Sequence, residues 1–129
     1  MTFPRFLRLL LIVPLLAFSM TLAIAADVVK QGDIKGKRVK WTQGSVIITG
    51  TPGNYRIQLG KNFKTKQAPA LFVYLGHAKP TAEIGALRSL NGEQSYKLPA
   101  SIDPKKFSRL FIYCKPYGIV FGSAKLKTP

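Results

Sequence analysis

The sequence is poor in the residues that build metal centres and disulfide frameworks. Its 129 residues contain one cysteine, Cys114, and one histidine, His77. One of each cannot form a zinc site within a single chain, because such sites take three or four ligands of these types. A lone cysteine also excludes an internal disulfide. The sulfur of Cys114 is therefore a packing group, an intermolecular partner or a functional group.

Acidic residues are scarce as well. Five Asp and Glu stand against 20 Lys and Arg, and the acids are scattered without the close pair that glycosidases use. The sequence has neither a Gly-x-Ser-x-Gly motif nor a phosphate-binding glycine loop. We therefore do not expect a stand-alone enzyme. The catalytic alternative pairs Cys114 as nucleophile with His77 as base, for which no orienting carboxylate is evident.

The N-terminal region has the features of a secretory signal peptide. Arg5 and Arg8 precede an almost unbroken apolar run over residues 9–24, and Ala23 and Ala25 supply small residues for cleavage. The run is slightly shorter than the roughly 20 residues that span a membrane, which favours cleavage over an uncleaved anchor. We predict a bacterial signal peptide over residues 1–25, a single domain over residues 26–129, and a secreted or periplasmic location.

The predicted mature chain is strongly basic. Without Arg5 and Arg8, 18 basic residues stand against five acids, a net charge of +13. A positive surface concentrates anionic partners near the protein. We expect no nucleic-acid partner for a secreted chain, and the candidates are an acidic protein, a glycan or the headgroups of a membrane surface. The alternative is a solvated surface that only keeps the protein soluble.

Most of the chain has the pattern of short strands separated by turns. Apolar and polar residues alternate over residues 55–59, and residues 70–75 form a continuous apolar run typical of a strand buried on both faces. Further strands are predicted over residues 38–42 (with Trp41), 46–49, 94–98, 109–114 and 119–122. About seven to eight short strands without a long helix predict an all-β fold, a small antiparallel β-sandwich or barrel.

Two other segments have local signals. We expect residues 83–91 to form a loop that packs its apolar side chains onto the core, because Gly85 and the short length weaken a helix there. Asp103 followed by Pro104 is a good helix start, since an N-cap oxygen precedes a proline at the first helical position. Few residues follow before the next strand, so a single turn is expected.

Cys114 ends one of the predicted strands. Side chains of a strand alternate between its two faces, so the predicted strand has Leu110, Ile112 and Cys114 on one face and Arg109, Phe111 and Tyr113 on the other. Free cysteine is often a buried packing residue. The position at a strand end, with Lys115 beside it, would instead suit a thiolate.

A thiolate at this position has three possible uses. It could ligate haem iron, ligate copper, or exchange with a partner disulfide. Tyr113, Tyr117 and His77 are candidate pocket residues for such a redox group or cofactor ligand at Cys114. Ordinary cross-strand packing is the alternative for the tyrosines.

Several blocks of the sequence, taken in order, resemble the DM-thirteen domain. The blocks are residues 44–48, 59–63, 68–75, 87–90, 92–99, 110–115 and 121–126, with Leu110-Phe111-Ile112-Tyr113-Cys114-Lys115 among them. The resemblance implies a β-sandwich-like fold and a redox or electron-transfer module centred on the cysteine of the family, which is Cys114 here. In that family the cysteine is thought to act as a bare thiol or as a ligand to a cofactor such as haem.

The sequence shows no DOMON or cytochrome domain beside these blocks, so we expect a separate redox partner protein. A second hypothesis is a non-redox binding module in which Cys114 belongs to the core. Basic loops over residues 61–66, 105–106 and 125–127 would then engage an acidic protein, glycan or lipid headgroup.

Overall fold

Nine strands form a single antiparallel sheet in the part of the chain that the computed structural model describes, residues 27–36 and 41–129. The strands are β1 Val28–Gly36, β2 Thr42–Thr51, β3 Asn54–Leu59, β4 Lys64–Thr65, β5 Leu71–Gly76, β6 Pro80–Ala86, β7 Gln94–Lys97, β8 Arg109–Cys114 and β9 Ile119–Lys125. Their order is β6-β5-β8-β9-β1-β2-β3-β7, with β4 paired to β2. The predicted all-β antiparallel fold is confirmed. The predicted signal peptide, residues 1–25, lies outside the described residues.

The sheet curves around one apolar core. The core receives side chains from seven of the strands and from the loops between them: Ile34, Val46, Ile48, Tyr55, Ile57, Leu59, Phe63, Leu71, Val73, Leu75, Tyr96, Leu98, Leu110, Ile112, Cys114, Phe121, Ala124 and Leu126. Alternate residues of a strand point to opposite faces, and β2, β3, β5 and β8 accordingly give this core side chains at every second position. The arrangement has the single interior of a sandwich or nearly closed barrel.

Strands with clear apolar patterns lie where the sequence predicts them. In β3, Tyr55, Ile57 and Leu59 are buried while Arg56 is exposed. β5 is paired on both sides, with β6 and β8, and buries Tyr74 on the face opposite Val73. The apolar run of β5 therefore corresponds to a strand covered on both faces, as predicted.

The prediction for residues 83–91 was correct only in part. The first half of this segment belongs to β6, which pairs with β5 from Phe72 to Gly76 through two irregularities in register. Ile84 and Leu87 pack against the core as predicted, whereas Leu90 is 37% exposed and does not. The ladder to β5 supplies hydrogen bonds that the local sequence cannot reveal, which is why residues 83–86 form a strand and not a loop.

The predicted first strand around Trp41 is only partly observable. Residues 38–40 lie outside the described residues, and β2 begins at Thr42, immediately after Trp41. The Trp41 ring packs on Phe121 with centroids 4.8 Å apart. The first strand of the described sheet is β1, which the sequence did not indicate.

Two short 3₁₀ turns flank β8. The first, Pro104–Lys106, follows Asp103, whose Oδ1 accepts a hydrogen bond from the Lys105 backbone N–H, as the N-cap prediction requires. The second, Lys115–Tyr117, begins directly after Cys114 and ends at Gly118, which has φ 62° and so favours glycine. Among the described residues no helix has the length and apolarity needed to cross a membrane.

Candidate functional site at the end of β8

Cys114 is the last residue of β8 and one of the most buried side chains of the protein. It is 1% exposed and lies on the core face with Leu110 and Ile112, which confirms the predicted strand face. Its cross-strand partners are Leu71 at the start of β5 and Ile119 at the start of β9. The sulfur is therefore in the core, but at the end of the sheet rather than in its middle.

The turn that follows Cys114 is the most exposed apolar part of this end of the sheet. Residues 115–118, called the β8–β9 turn below, connect Cys114 to Ile119. Tyr117 is 65% exposed and Ile119 is 43% exposed. The buried thiol is thus followed directly in the chain by a segment that is open to solvent.

Aromatic side chains cover the outer face of the same strands. Tyr74 of β5 and Tyr113 of β8 meet edge to face with ring centroids 5.1 Å apart, and Phe72 lies 6.5 Å from Tyr74. Tyr74 is only 8% exposed although it faces away from the core. Edge-to-face pairs of this kind stabilise the packing beyond the area that they bury. Tyr113 therefore packs on the face opposite the sulfur of Cys114.

An acidic residue of β6 joins this outer cluster to the β8–β9 turn. Oε1 of Glu83 accepts a hydrogen bond of 2.8 Å from the Tyr74 hydroxyl and another of 2.8 Å from Nζ of Lys115. The Lys115 ammonium also lies 5.2 Å from the Phe72 ring centroid. The Lys115 charge is thus directed at Glu83 on the outer face, and not at the sulfur as the sequence suggested.

The charges of this cluster influence one another. The hydrogen bond from Lys115, followed by the one from Tyr74, holds the pKa of Glu83 below its usual value of 4.5. The same bond to Glu83 raises the pKa of Lys115. Burial, followed by the bond to Glu83, raises the pKa of Tyr74. All three groups therefore keep their ordinary charges at neutral pH, with the carboxylate ionised and the phenol protonated.

His77 lies far from Cys114. It follows β5 at Gly76, which pairs with Arg109, whereas Cys114 pairs with Leu71. The Gly76–Arg109 pair and the Leu71–Cys114 pair are five residues apart along β8, which corresponds to about 17 Å along the strand. The His77 Nδ1 lies 3.0 Å from the Ser108 hydroxyl, and its ring stacks on Phe107. The structure does not bring His77, Tyr113 and Tyr117 together around the sulfur, nor does it form a Cys114–His77 dyad.

Residues 34–126 match the family described as Electron transfer DM13. The match covers well over half of the chain and includes the whole of β8 and the β8–β9 turn. The chain belongs to the DM13 family. No curated protein and no solved structure matches it. Family membership supports a redox module in general terms and is consistent with a redox partner.

Membership in DM13 raises the question of whether Cys114 could hold a haem or copper ion. The sulfur belongs to a side chain that is 1% exposed and packed in the apolar core, it lines neither of two surface cavities of the described residues, and His77 is remote from it. Among the described residues, no cluster of three or more His, Cys, Asp and Glu side chains is arranged to hold a metal ion. The surroundings of Cys114 in this conformation therefore do not fit either cofactor.

Sequence reasoning identified Cys114 and its strand face but missed the Tyr74–Glu83–Lys115 cluster. The three residues belong to β5, β6 and the β8–β9 turn, and Glu83 and Lys115 are 32 positions apart in the sequence. The one available signal was the rarity of acids, since Glu83 is among only five in the chain. A scarce carboxylate between basic residues is expected to be paired.

Proposed function

We propose that this DM13 protein is a secreted redox module whose redox group is the Cys114 thiol. Family membership supports a role in electron transfer. Cys114 is the one thiol in the sequence, and it stands at the end of β8 beside the exposed β8–β9 turn. The position beside that turn is the observation that carries the assignment, because a thiol in the middle of the sheet could not reach a partner without global unfolding.

Thiol–disulfide exchange is the chemistry that suits a single cysteine without a cofactor cavity. The Cys114 thiolate attacks one sulfur of a partner disulfide, forming a mixed disulfide and releasing the other partner sulfur as a thiolate. A thiol of a second partner that carries two thiols then attacks the Cys114 sulfur and releases the first partner's remaining sulfur as a thiolate, and the other thiol of that second partner closes its own disulfide and releases the Cys114 thiolate. Two thiols are oxidised to a disulfide and one disulfide is reduced, so two electrons are transferred.

Access to the sulfur requires local opening of the β8–β9 turn. Cys114 is 1% exposed, so a partner sulfur cannot reach it in the closed conformation. The turn is short, carries exposed side chains and is held to β6 by the Lys115–Glu83 ion pair. Segments with few buried contacts open at lower free energy than core strands. Movement of this turn would uncover Cys114 while the rest of the sheet stays folded.

A glutathione redox titration tests the assignment. The protein, purified from the periplasm of an expression host, is equilibrated with defined ratios of reduced and oxidised glutathione and examined by intact mass spectrometry. We expect a glutathione adduct on Cys114 that increases with the oxidised fraction and is absent from Cys114→Ala. A thiol that stays unmodified at every ratio, and reacts only in denaturant, would contradict the proposal.

The same sample tests the proposed location. Cleavage of the signal peptide would leave a chain that begins at Ala26. Its intact mass, measured on protein recovered from the periplasmic fraction, would be that of residues 26–129. An uncleaved chain in the membrane fraction would contradict secretion.

Burial of Cys114 favours a second candidate function, a non-redox binding module with a structural cysteine. A small thiol among Leu and Ile side chains is a common packing arrangement. This function predicts that Cys114→Ala retains all binding of the wild-type protein, and that the thiol is inert in the glutathione titration. The redox function predicts the opposite result in the titration.

A further inference from the structure

A concave groove of about 1150 Å³ runs over the outer face of β8, β9, β1 and β2. Its lining combines apolar side chains of three of these strands, Ile47, Phe111 and Val120, with the hydroxyls of Ser45 and Ser123. Neither the core nor the Tyr74–Glu83–Lys115 cluster accounts for this surface. Ligand sites are concave and combine apolar side chains with a few polar groups, and this surface has both features.

The groove is strongly cationic. Lys35, Arg109, Lys125 and Lys127 line it, and Asp33 is the one acid among the lining residues that the structure describes. Within the described residues the salt bridge that forms is Lys115–Glu83, on another part of the surface. The groove therefore carries four cations against the single acid Asp33, and none of the four forms a salt bridge with an acid of the described residues.

Arg109 and Lys125 are direct cross-strand partners in the ladder between β8 and β9. Direct partners in an antiparallel pair share one face of the sheet, and like charges placed opposite one another are destabilising. Both side chains line the groove. Two adjacent cations without an acid between them create a locally positive potential, and such a potential attracts anionic groups.

We propose that this groove binds an acidic polypeptide segment of a partner protein. The groove extends over four neighbouring strands and is open to solvent, which suits part of a polymer better than a compact ligand that needs to be enclosed. Alternate side chains of an extended peptide point in opposite directions. One set would contact the apolar floor at Ile47, Phe111 and Val120, while carboxylates would face Lys35, Arg109 and Lys125.

The apolar floor distinguishes a peptide from a sulfated or carboxylated glycan. A polyanionic glycan would contact the cations alone, whereas a ligand with apolar side chains would also bury them against the apolar floor. The groove also differs from the basic loops over residues 61–66, 105–106 and 125–127, because its cations surround a concave surface with an apolar floor. Lys125 and Lys127 are the residues common to both hypotheses.

The groove is independent of the redox function, although one end of it lies close to Cys114. Val120 lines the groove and follows Ile119, the cross-strand partner of Cys114. A bound acidic segment would hold its protein beside the β8–β9 turn. Binding can be measured without any reaction of the thiol, so failure of one proposal leaves the other open to its own test.

Fluorescence anisotropy with defined probes tests the proposal on the full protein. The first probe is a fluorescein-labelled peptide of alternating Glu and Leu, and its uncharged counterpart replaces Glu with Gln. A labelled heparin oligosaccharide is the glycan probe. The groove variant is Arg109→Gln with Lys125→Gln. The matched control, called the loop variant, is Lys61→Gln with Lys66→Gln, which removes the same charge from two exposed positions on either side of β4.

We expect the Glu–Leu peptide to bind the wild-type protein, with an affinity that falls as salt rises. The groove variant should lose about tenfold in affinity or more, and the loop variant about twofold or less, since only the former removes direct contacts. Cys114→Ala should bind as the wild-type protein does.

Three results would overturn the proposal. The loop variant could lose as much affinity as the groove variant, in which case net charge alone drives binding. The Gln–Leu peptide could bind equally well, in which case the cations are irrelevant. The heparin oligosaccharide could bind with dependence on Arg109 and Lys125 while the Glu–Leu peptide does not, in which case the ligand is a glycan.

Discussion

Nζ of Lys115 and Oε1 of Glu83 lie 2.8 Å apart, and this ion pair ties the residue after Cys114 to strand β6. The two residues flank β5 on the outer face, and the Tyr74 hydroxyl donates to the same carboxylate oxygen. The pair therefore restrains the β8–β9 turn from outside the core. If opening of that turn exposes Cys114, the ion pair controls how often the thiol becomes accessible.

Glu83→Gln should increase the rate at which Cys114 reacts with a thiol reagent in the folded protein. Half-exposed ion pairs contribute little to stability, so the expected increase is about two- to fivefold. The rate is measured with dithiobis-nitrobenzoate under native conditions. Glu93→Gln is the matched control, because it removes an exposed carboxylate for which no ion pair forms in the described residues. If Glu83→Gln and Glu93→Gln react at the same rate, the Lys115–Glu83 ion pair does not control access to the Cys114 thiol, and the prediction is contradicted.

The contribution of Glu83 to stability should depend on pH. Its pKa is lowered in the folded protein, first by Lys115 and then by Tyr74, relative to the usual value of 4.5. The unfolded chain therefore takes up the proton first as the pH falls. The stabilisation is present above pH 4.5 and is lost as the pH falls through the folded-state pKa.

Chemical denaturation of the wild-type protein and Glu83→Gln across this pH range measures the effect. The stability difference between the two should be constant near neutral pH and shrink below pH 4.5. Glu93→Gln provides the reference for general charge effects. A difference that stays constant down to pH 2 would mean that the carboxylate makes no charge-dependent contact in solution.

Cys114→Ser should destabilise the protein more than Cys114→Ala. The serine hydroxyl would replace a thiol that is 1% exposed among Leu and Ile side chains, and a buried hydroxyl without a partner costs about 1–3 kcal/mol. Alanine removes one heavy atom and should cost about 1 kcal/mol, as other small core deletions do. Urea denaturation of the two variants compares them. A more stable serine variant would show that the site is wetter or more polar than its burial indicates.

The sequence predicted those elements whose signal is local. β3 and β5 have clear apolar patterns, and the turn at Pro104 has its own cap at Asp103. The prediction for β8 was correct in its bounds and in the face on which Cys114 lies. In these cases the side chains that pack together follow the periodicity of a single strand, so one stretch of sequence contains all of the information.

The remaining features depend on contacts between distant parts of the chain. β1 has only three apolar side chains, Val28, Val29 and Ile34, and contains two glycines, and it is a strand because β2 and β9 pair with it. The Glu83–Lys115 pair and the Arg109–Lys125 pair depend on which strands are neighbours. Periodicity cannot supply that order, because nonlocal pairing is decided by the packing of the whole sheet.

Salt should stabilise this protein, and Lys125→Gln should reduce that effect. Arg109 and Lys125 face one another across β8 and β9, so their repulsion weakens as ionic strength rises. Removing one charge should raise the melting temperature at low salt and leave it nearly unchanged at high salt. Lys97→Gln, on strand β7, is the control for lowering the net charge. Identical shifts in both variants would attribute the effect to overall charge and not to the facing pair.

The central claim is that Cys114 is a redox group of the folded protein, reached by local opening of the β8–β9 turn. Its most direct test is the rate of Cys114 labelling at several guanidinium concentrations below the unfolding transition. Local opening exposes little surface, so the account predicts a rate that is nearly independent of denaturant. A rate that rises with the full slope of global unfolding would contradict it, and would make Cys114 a structural residue of the core.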